Sequence, residues 1–142
     1  MVDRPAAPDD LDPLKPLEFV GSAGNVLRGF PRDVRLVMGF ALFQAQLGQK
    51  HQAAKPLTGH KEFKGAGVLE IVDDYDGDTY RAMYTVKLAG VVYVLHAFQK
   101  KSKRRAETTR HDIELVKQRL ARAREHYQEH YVERSHPGAI AV

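Results

Sequence analysis

The run VVYVLHAFQKKSKRR, residues 91–105, carries an apolar stretch straight into a dense group of cations. Lys100, Lys101, Lys103, Arg104 and Arg105 fill five of its six last positions. Arg81 and Lys87 precede them on the neighbouring segment, and His96 adds a titratable ring within the apolar stretch. Cations grouped in this way bind phosphates, and the sugar–phosphate chain of a nucleic acid is the commonest polyphosphate they meet. On charge alone, a solvated linker is as good a reading of the basic run. Its place in the fold has to decide.

The elements that position these residues follow from hydrophobic periodicity. PLEFV, residues 16–20, reads as a short strand, and a short helix spans about 22–29. Pro31 suits the first turn of a second helix, which Gly48 ends. Val34, Val37, Met38, Ala41, Leu42 and Ala45 give that helix one apolar stripe, and Leu36, Phe40, Phe43 and Leu47 give it a second. A helix apolar on more than one face is expected to pack on the core and under a partner. Residues 50–67 read as a polar loop carrying Lys55, Lys61 and Lys64. Strands are predicted at 68–73, 79–88 and 91–99, joined by DYDGD and by a tight Ala89–Gly90 turn. A last helix starts near Thr109, where Thr109 and Asp112 resemble a capping box; its stripe is Ile113, Val116, Leu120, Ala123 and Tyr127, and it frays from Glu125 onward. The order is β-α-α-β-β-β-α, an α+β domain with its helices on one side of an antiparallel sheet. Alternation along 79–88 sends Tyr80, Ala82, Tyr84, Val86 and Leu88 to the helices. Arg81, Met83 and Lys87 then project from the open face. On the last strand His96 is expected to share a face with Val92, Val94, Phe98 and Lys100.

The chain has 142 residues and no cysteine, with a net charge of +4. One domain accommodates that length. Disulfide and thiolate chemistry are excluded, which suits a reducing cytoplasm. The start MVDRPAAPDDLDP has no apolar segment of the kind a secretory leader carries, and no apolar run is long enough to span a bilayer. Residues 1–14 read as a flexible acidic, proline-rich arm, 15–131 as the folded domain, and 132–142 as a flexible tail.

Each candidate has a plainer alternative. Arg81 could simply pair with Glu70 across the sheet. Lys87 could be solvated or guard an edge. His96 on an apolar face is more often a satisfied core histidine than a catalyst. DDYDGD lacks the twelve-residue calcium pattern and is read as a hairpin. His126 and His130 lie four apart, but no third ligand accompanies them, so neither metal nor other cofactor is expected.

FKGAGVLEI (63–71), GDTYRAMY (77–84), VYVLHAFQKKS (92–102) and TTRHDIELVKQRL (108–120), with FPRDVRLVMGFALFQAQLG (30–48) upstream, together resemble the RelE/HigB-like toxins, in particular the phage-derived HigB-like branch of the RelE/ParE superfamily. The likeness runs from about Pro16 to Tyr127, and VLHAFQKKS is its most specific piece. It implies a RelE-like fold and the toxin of a type II toxin–antitoxin pair, acting in the cytoplasm as a metal-independent mRNA endonuclease at the ribosome. The implied partners are mRNA, the ribosome and a helix-turn-helix antitoxin. Relatives that poison DNA gyrase share the fold, so a non-nuclease toxin, or an inactive prophage remnant, is the alternative.

Metal-free RNA cleavage needs a deprotonated 2′-OH, fixed cations for the charge growing on the phosphate, and a proton for the leaving 5′-oxygen. By resemblance Arg81 stabilises that charge, Lys100 and Lys101 bind phosphate with Lys87 in support, His96 transfers protons, and Glu70 is a base or a structural anchor. The chain departs from the RelE pattern at two points. Glu70 and Val72 stand on a strand that is often basic there, and no tyrosine lies between Tyr93 and Tyr127. The general base is therefore unassigned.

Overall fold

The computed structural model describes residues 14–57, 60–63, 65–101 and 108–132. Most of the acidic arm and of the tail, together with Lys64, Lys103, Arg104 and Arg105, lies outside the described residues. The strands are β1 (Leu17–Phe19), β2 (Ala54–Pro56), β3 (Val68–Tyr75), β4 (Asp78–Thr85) and β5 (Val92–Lys100). The helices are α1 (Ala23–Arg28), α2 (Arg32–Gln46) and α3 (Arg110–His130). The α+β class and the element order are those predicted, with β2 added as a short edge strand. The sheet order is β1-β5-β4-β3-β2; β1 joins β5 in parallel and the other pairings are antiparallel.

Local chemistry accounts for the turns. Tyr75 pairs with Asp78, so the β3–β4 turn consists of Asp76 and Gly77 alone, with φ of 53° and 85°. Two positive φ values define the hairpin turn whose twist matches its strands, and Asp-Gly is a preferred pair for it. Gly48 at φ 83° closes α2: its N–H donates to Ala45 and that of Gln49 to Gln44. These are the two bonds of a Schellman cap. Thr109 and Asp112 form a complete capping box at the start of α3.

The helices do not share one side. Val34, Met38, Ala41 and Leu42 of α2 pack with Ala23 and Leu27 of α1 on Ile71, Tyr80, Ala82, Tyr84 and Val94. Ile113, Val116, Leu120 and Ala123 of α3 pack on the opposite face against Met83, Tyr93 and Leu95. Each large apolar side chain buried there contributes about 1.5–3 kcal/mol, so α3 is a structural layer and covers much of the face expected to be open. Nor does α3 fray from Glu125: it runs to His130, and Tyr127 beyond that point donates to the Ala89 carbonyl at 2.7 Å.

Two strand expectations need correction. β4 ends at Thr85, not Leu88, and Val86 is exposed at 36%. The β4–β5 link is accordingly a six-residue loop, 86–91, and not a two-residue turn. On β5, Met83 pairs with His96 whereas Tyr84 pairs with Val94, which leaves Leu95 unpaired. This is a β-bulge, and one extra residue reverses the alternation beyond it. Val92 and Val94 therefore face α1 and α2, while His96, Phe98 and Lys100 face the α3 side.

Candidate nucleic-acid interface

α3 covers β5 and the middle of β4 and leaves a strip of the same sheet face uncovered. Strand register lays out this sheet face in rows, in which Met83, His96 and Thr79 are buried. Lys55, Glu70, Met83 and His96 form one; Val72, Arg81 and Phe98 the next; Asp74, Thr79 and Lys100 the third. Lys101 follows at the strand exit and is exposed. Successive rows on one face lie roughly 7 Å apart, and neighbouring strands about 4.8 Å.

Arg81 Nη1 is 3.0 Å from Glu70 Oε2, with both side chains less than one-fifth exposed. The pair expected as the plain alternative is therefore present. It does not remove Arg81 from consideration: a guanidinium has five N–H donors, and a carboxylate beside it orients the fork. Phe98 is half-buried across from Arg81, and the Lys100 ammonium lies 5.2 Å from its ring centre, within cation–π range.

Behind the strip is a buried polar network. His96 Nε2 is 2.9 Å from Asp112 Oδ1. Asp112 Oδ2 accepts from the Thr109 hydroxyl at 2.7 Å and its N–H at 3.2 Å, and faces Lys100 Nζ at 3.6 Å. Arg119 Nη1 reaches His96 Nδ1 at 3.2 Å and the Leu95 carbonyl at 3.1 Å; its Nη2 reaches Ser22. A guanidinium only donates, so Nδ1 must accept and the ring proton sits on Nε2, directed at Asp112. Burial, aided by the charges of Arg119 and His111, lowers the His96 pKa against the opposing pull of Asp112. For Asp112, burial alone would raise the pKa, but the bonds from His96 and Thr109 and the charge of Lys100 outweigh it and hold it low.

This geometry corrects the expected role of His96. A proton-transfer group needs one nitrogen open to a reacting oxygen; here both nitrogens are engaged and only 8% of the side chain is exposed. His96 is the satisfied core histidine of the alternative reading. Lys87 also moves. It sits beyond the end of β4, its N–H bonded to Thr85 Oγ1 and its stem against Gly67, where any side chain would collide with it. The six residue steps from Thr79, the partner of Lys100, to Thr85 put it roughly 20 Å along the strand from Lys100. The structure thus brings Glu70 and Arg81 together with Lys100 in the next row, leaves Lys101 exposed just past the strand end, and sets Lys87 apart.

Sequence reading passed over Phe98 and Arg119 and saw Asp112 only as a cap. One signal was available: Asp112, Val116, Arg119 and Ala123 form a single helical row, so both charges were bound to meet the sheet. Elsewhere, Asp74 accepts from Thr79 and Asp78 from Gln99, as hairpin residues. Among the described residues no group of three or more His, Asp or Glu could hold a metal ion. A cleft of about 250 Å³ lies at the other end of α3, lined by residues including Glu18, Tyr93, Arg122 and His126, and does not touch the strip. No described helix is long and apolar enough to cross a membrane.

The fold is a mixed α+β domain, a five-stranded sheet flanked by three helices in the predicted order. Residues 25–121 match the family described as Phage derived protein Gp49-like (DUF891). The chain belongs to that family. No curated protein and no solved structure matches it.

Proposed function

We propose that the chain is the toxin of a type II toxin–antitoxin pair, of the HigB-like kind, and inhibits translation in the cytoplasm by cutting mRNA on the ribosome. The observation that carries this reading is the placement of Arg81 and Lys100 in neighbouring rows of the strip that α3 leaves uncovered, with the exposed Lys101 next in the chain. In the proposed step the 2′-oxygen attacks the adjacent phosphorus. The bond to the 5′-oxygen breaks as that oxygen takes a proton from solvent water, leaving a 2′,3′-cyclic phosphate and a 5′-hydroxyl. Arg81 stabilises the charge growing on the phosphoryl oxygens. Lys100 and Lys101 hold neighbouring phosphates, and Glu70, 3.0 Å from Arg81, is the carboxylate in position to accept the 2′-OH proton. Producing the protein without its antitoxin should halt growth and cut transcripts within codons, and Arg81→Ala should abolish both. Growth arrest with intact transcripts would reject the nuclease.

A second reading, a non-enzymatic poison of a protein such as DNA gyrase, draws on a different surface. Leu36, Phe40, Phe43 and Leu47 form an exposed apolar stripe on α2. If toxicity survives Arg81→Ala and supercoiling changes after induction, this reading replaces the first. In the nuclease reading the stripe is the contact for a helix-turn-helix antitoxin.

A further inference from the structure

We infer that Phe98 is a base-stacking platform, so that the ligand of the strip is single-stranded nucleic acid with an unpaired base laid on this ring. The inference rests on the nucleic-acid reading above and adds to it the element that recognises bases.

Apart from Val72 and the buried Met83, the strip is otherwise charged or polar along its length. Arg81 lies beside Phe98 on β4, Lys100 two positions further along β5, and Lys101 at the exit. Cations in this pattern bind phosphates of any sequence and any strandedness. A half-buried aromatic ring at their centre does something they cannot. Every base presents a π-face, and an aromatic side chain beside a basic track is how single strands are held when bases are unpaired. The two other rings on this sheet face, Tyr93 and His96, are buried beneath α3 with their polar atoms bonded to α3 side chains. Among the described residues that leaves Phe98 as the aromatic ring of the uncovered strip.

The surroundings of the ring fit a stacking role. The His96 ring lies 5.1 Å away at an interplanar angle of 31° and supports it from the core. The Lys100 ammonium rests 5.2 Å from the ring centre and has a second partner in Asp112 at 3.6 Å. A base arriving on the ring can therefore displace the ammonium without leaving it stranded, and the freed lysine meets the phosphate of the same nucleotide. The bulge at Leu95 is what turns Phe98 to this side of the sheet; with simple alternation from Val94 it would face α1 and α2.

The test uses a 2′-O-methyl RNA hexamer, which 2′-OH attack cannot cleave, and an abasic hexamer with the same phosphates. The wild-type chain should bind the base-bearing oligomer more tightly than the abasic one. Phe98→Leu keeps an apolar side chain in the core and should lose roughly 10- to 100-fold in affinity for the former and little for the latter. The chain contains no tryptophan, so Phe98→Trp introduces a single fluorophore whose emission should be quenched by the base-bearing oligomer only. Equal binding by wild type and Phe98→Leu, or unchanged emission from Phe98→Trp on a bound oligomer, overturns the platform while leaving the nuclease reading intact. Base-dependent binding without cleavage of mRNA on translating ribosomes rejects the nuclease and keeps the platform. A wild-type chain that binds neither oligomer overturns the platform, and the nuclease then stands or falls on transcript cutting after induction.

Discussion

His96 Nε2 and Asp112 Oδ1 stand 2.9 Å apart in the interior, joining β5 to the first turn of α3. The same carboxylate caps the helix through Thr109 and faces Lys100, so one side chain fastens a helix and holds a cation of the strip. Removing it leaves His96 Nε2 and the N–H and hydroxyl of Thr109 without their acceptor. Asp112→Ala is expected to destabilise the fold by about 1–3 kcal/mol, the range for leaving a buried donor without its acceptor. Urea denaturation measures it, and a loss below about 1 kcal/mol would show that the network contributes little.

The same pair predicts an acid limit to stability. His96 has a lowered pKa, with burial the main cause. An unfolded chain therefore takes up a proton at that ring below the ordinary value of 6.5 which the folded chain refuses. Stability is full above that value and falls as pH drops through it toward the folded pKa. Asp112 adds a second stage: its carboxylate, held below 3.8, contributes stability that is lost as pH falls through its folded value. Melting temperatures from about pH 8 to about pH 3 should decline in these two stages. His96→Gln should start lower and lack the first; identical slopes in both proteins would remove His96 from the explanation.

Phosphate binding is separable from stability by salt. Each phosphate contact on a single strand contributes about 0.7 to the slope of log affinity against log salt. Lys101 is exposed at the strand exit, so Lys101→Ala should reduce the slope by about that amount with an unchanged melting temperature. Lys87→Ala, off the strip, should leave the slope where it was. Should Lys87 prove the stronger contributor, the ligand track runs over the β4–β5 loop and not past Arg81.

Legibility in the sequence followed how local each determinant is. Period-two alternation put Arg81 on the correct face because β4 is regular up to Met83. It failed on β5 because a bulge is set by how two strands pair, and nothing in VVYVLHAF marks Leu95 as the unpaired residue. The Thr109–Asp112 cap was visible, since its partners are three residues apart. Its bond to His96, sixteen residues away, was not. The stripe on α3 showed that one side is buried but not against which sheet face, so the strip was expected to be broader than it is.

The apolar stripe on α2 carries the last prediction. Leu36, Phe40, Phe43 and Leu47 are 56%, 53%, 42% and 48% exposed, at spacings of four, three and four that keep them on one side of the helix. The opposite side already fills the core with Val34, Met38, Ala41, Leu42 and Ala45. Gly39, exposed beside Leu36 and Phe40, has nothing within 4 Å of where a Cβ would stand, so a partner helix can approach the backbone closely there. Apart from an edge contact of Phe40 with the His51 ring at 5.5 Å, internal packing explains none of these four side chains, and exposed positions of this kind alter stability by roughly 0.5 kcal/mol or less when changed. Phe40→Ser with Phe43→Ser should therefore fold and remain toxic, yet escape neutralisation by an antitoxin produced alongside it. A pull-down and a growth assay report the two halves of that expectation. Full rescue of growth by the antitoxin in the double variant would show that the toxin is covered elsewhere, with the cationic strip around Arg81 the next surface to test.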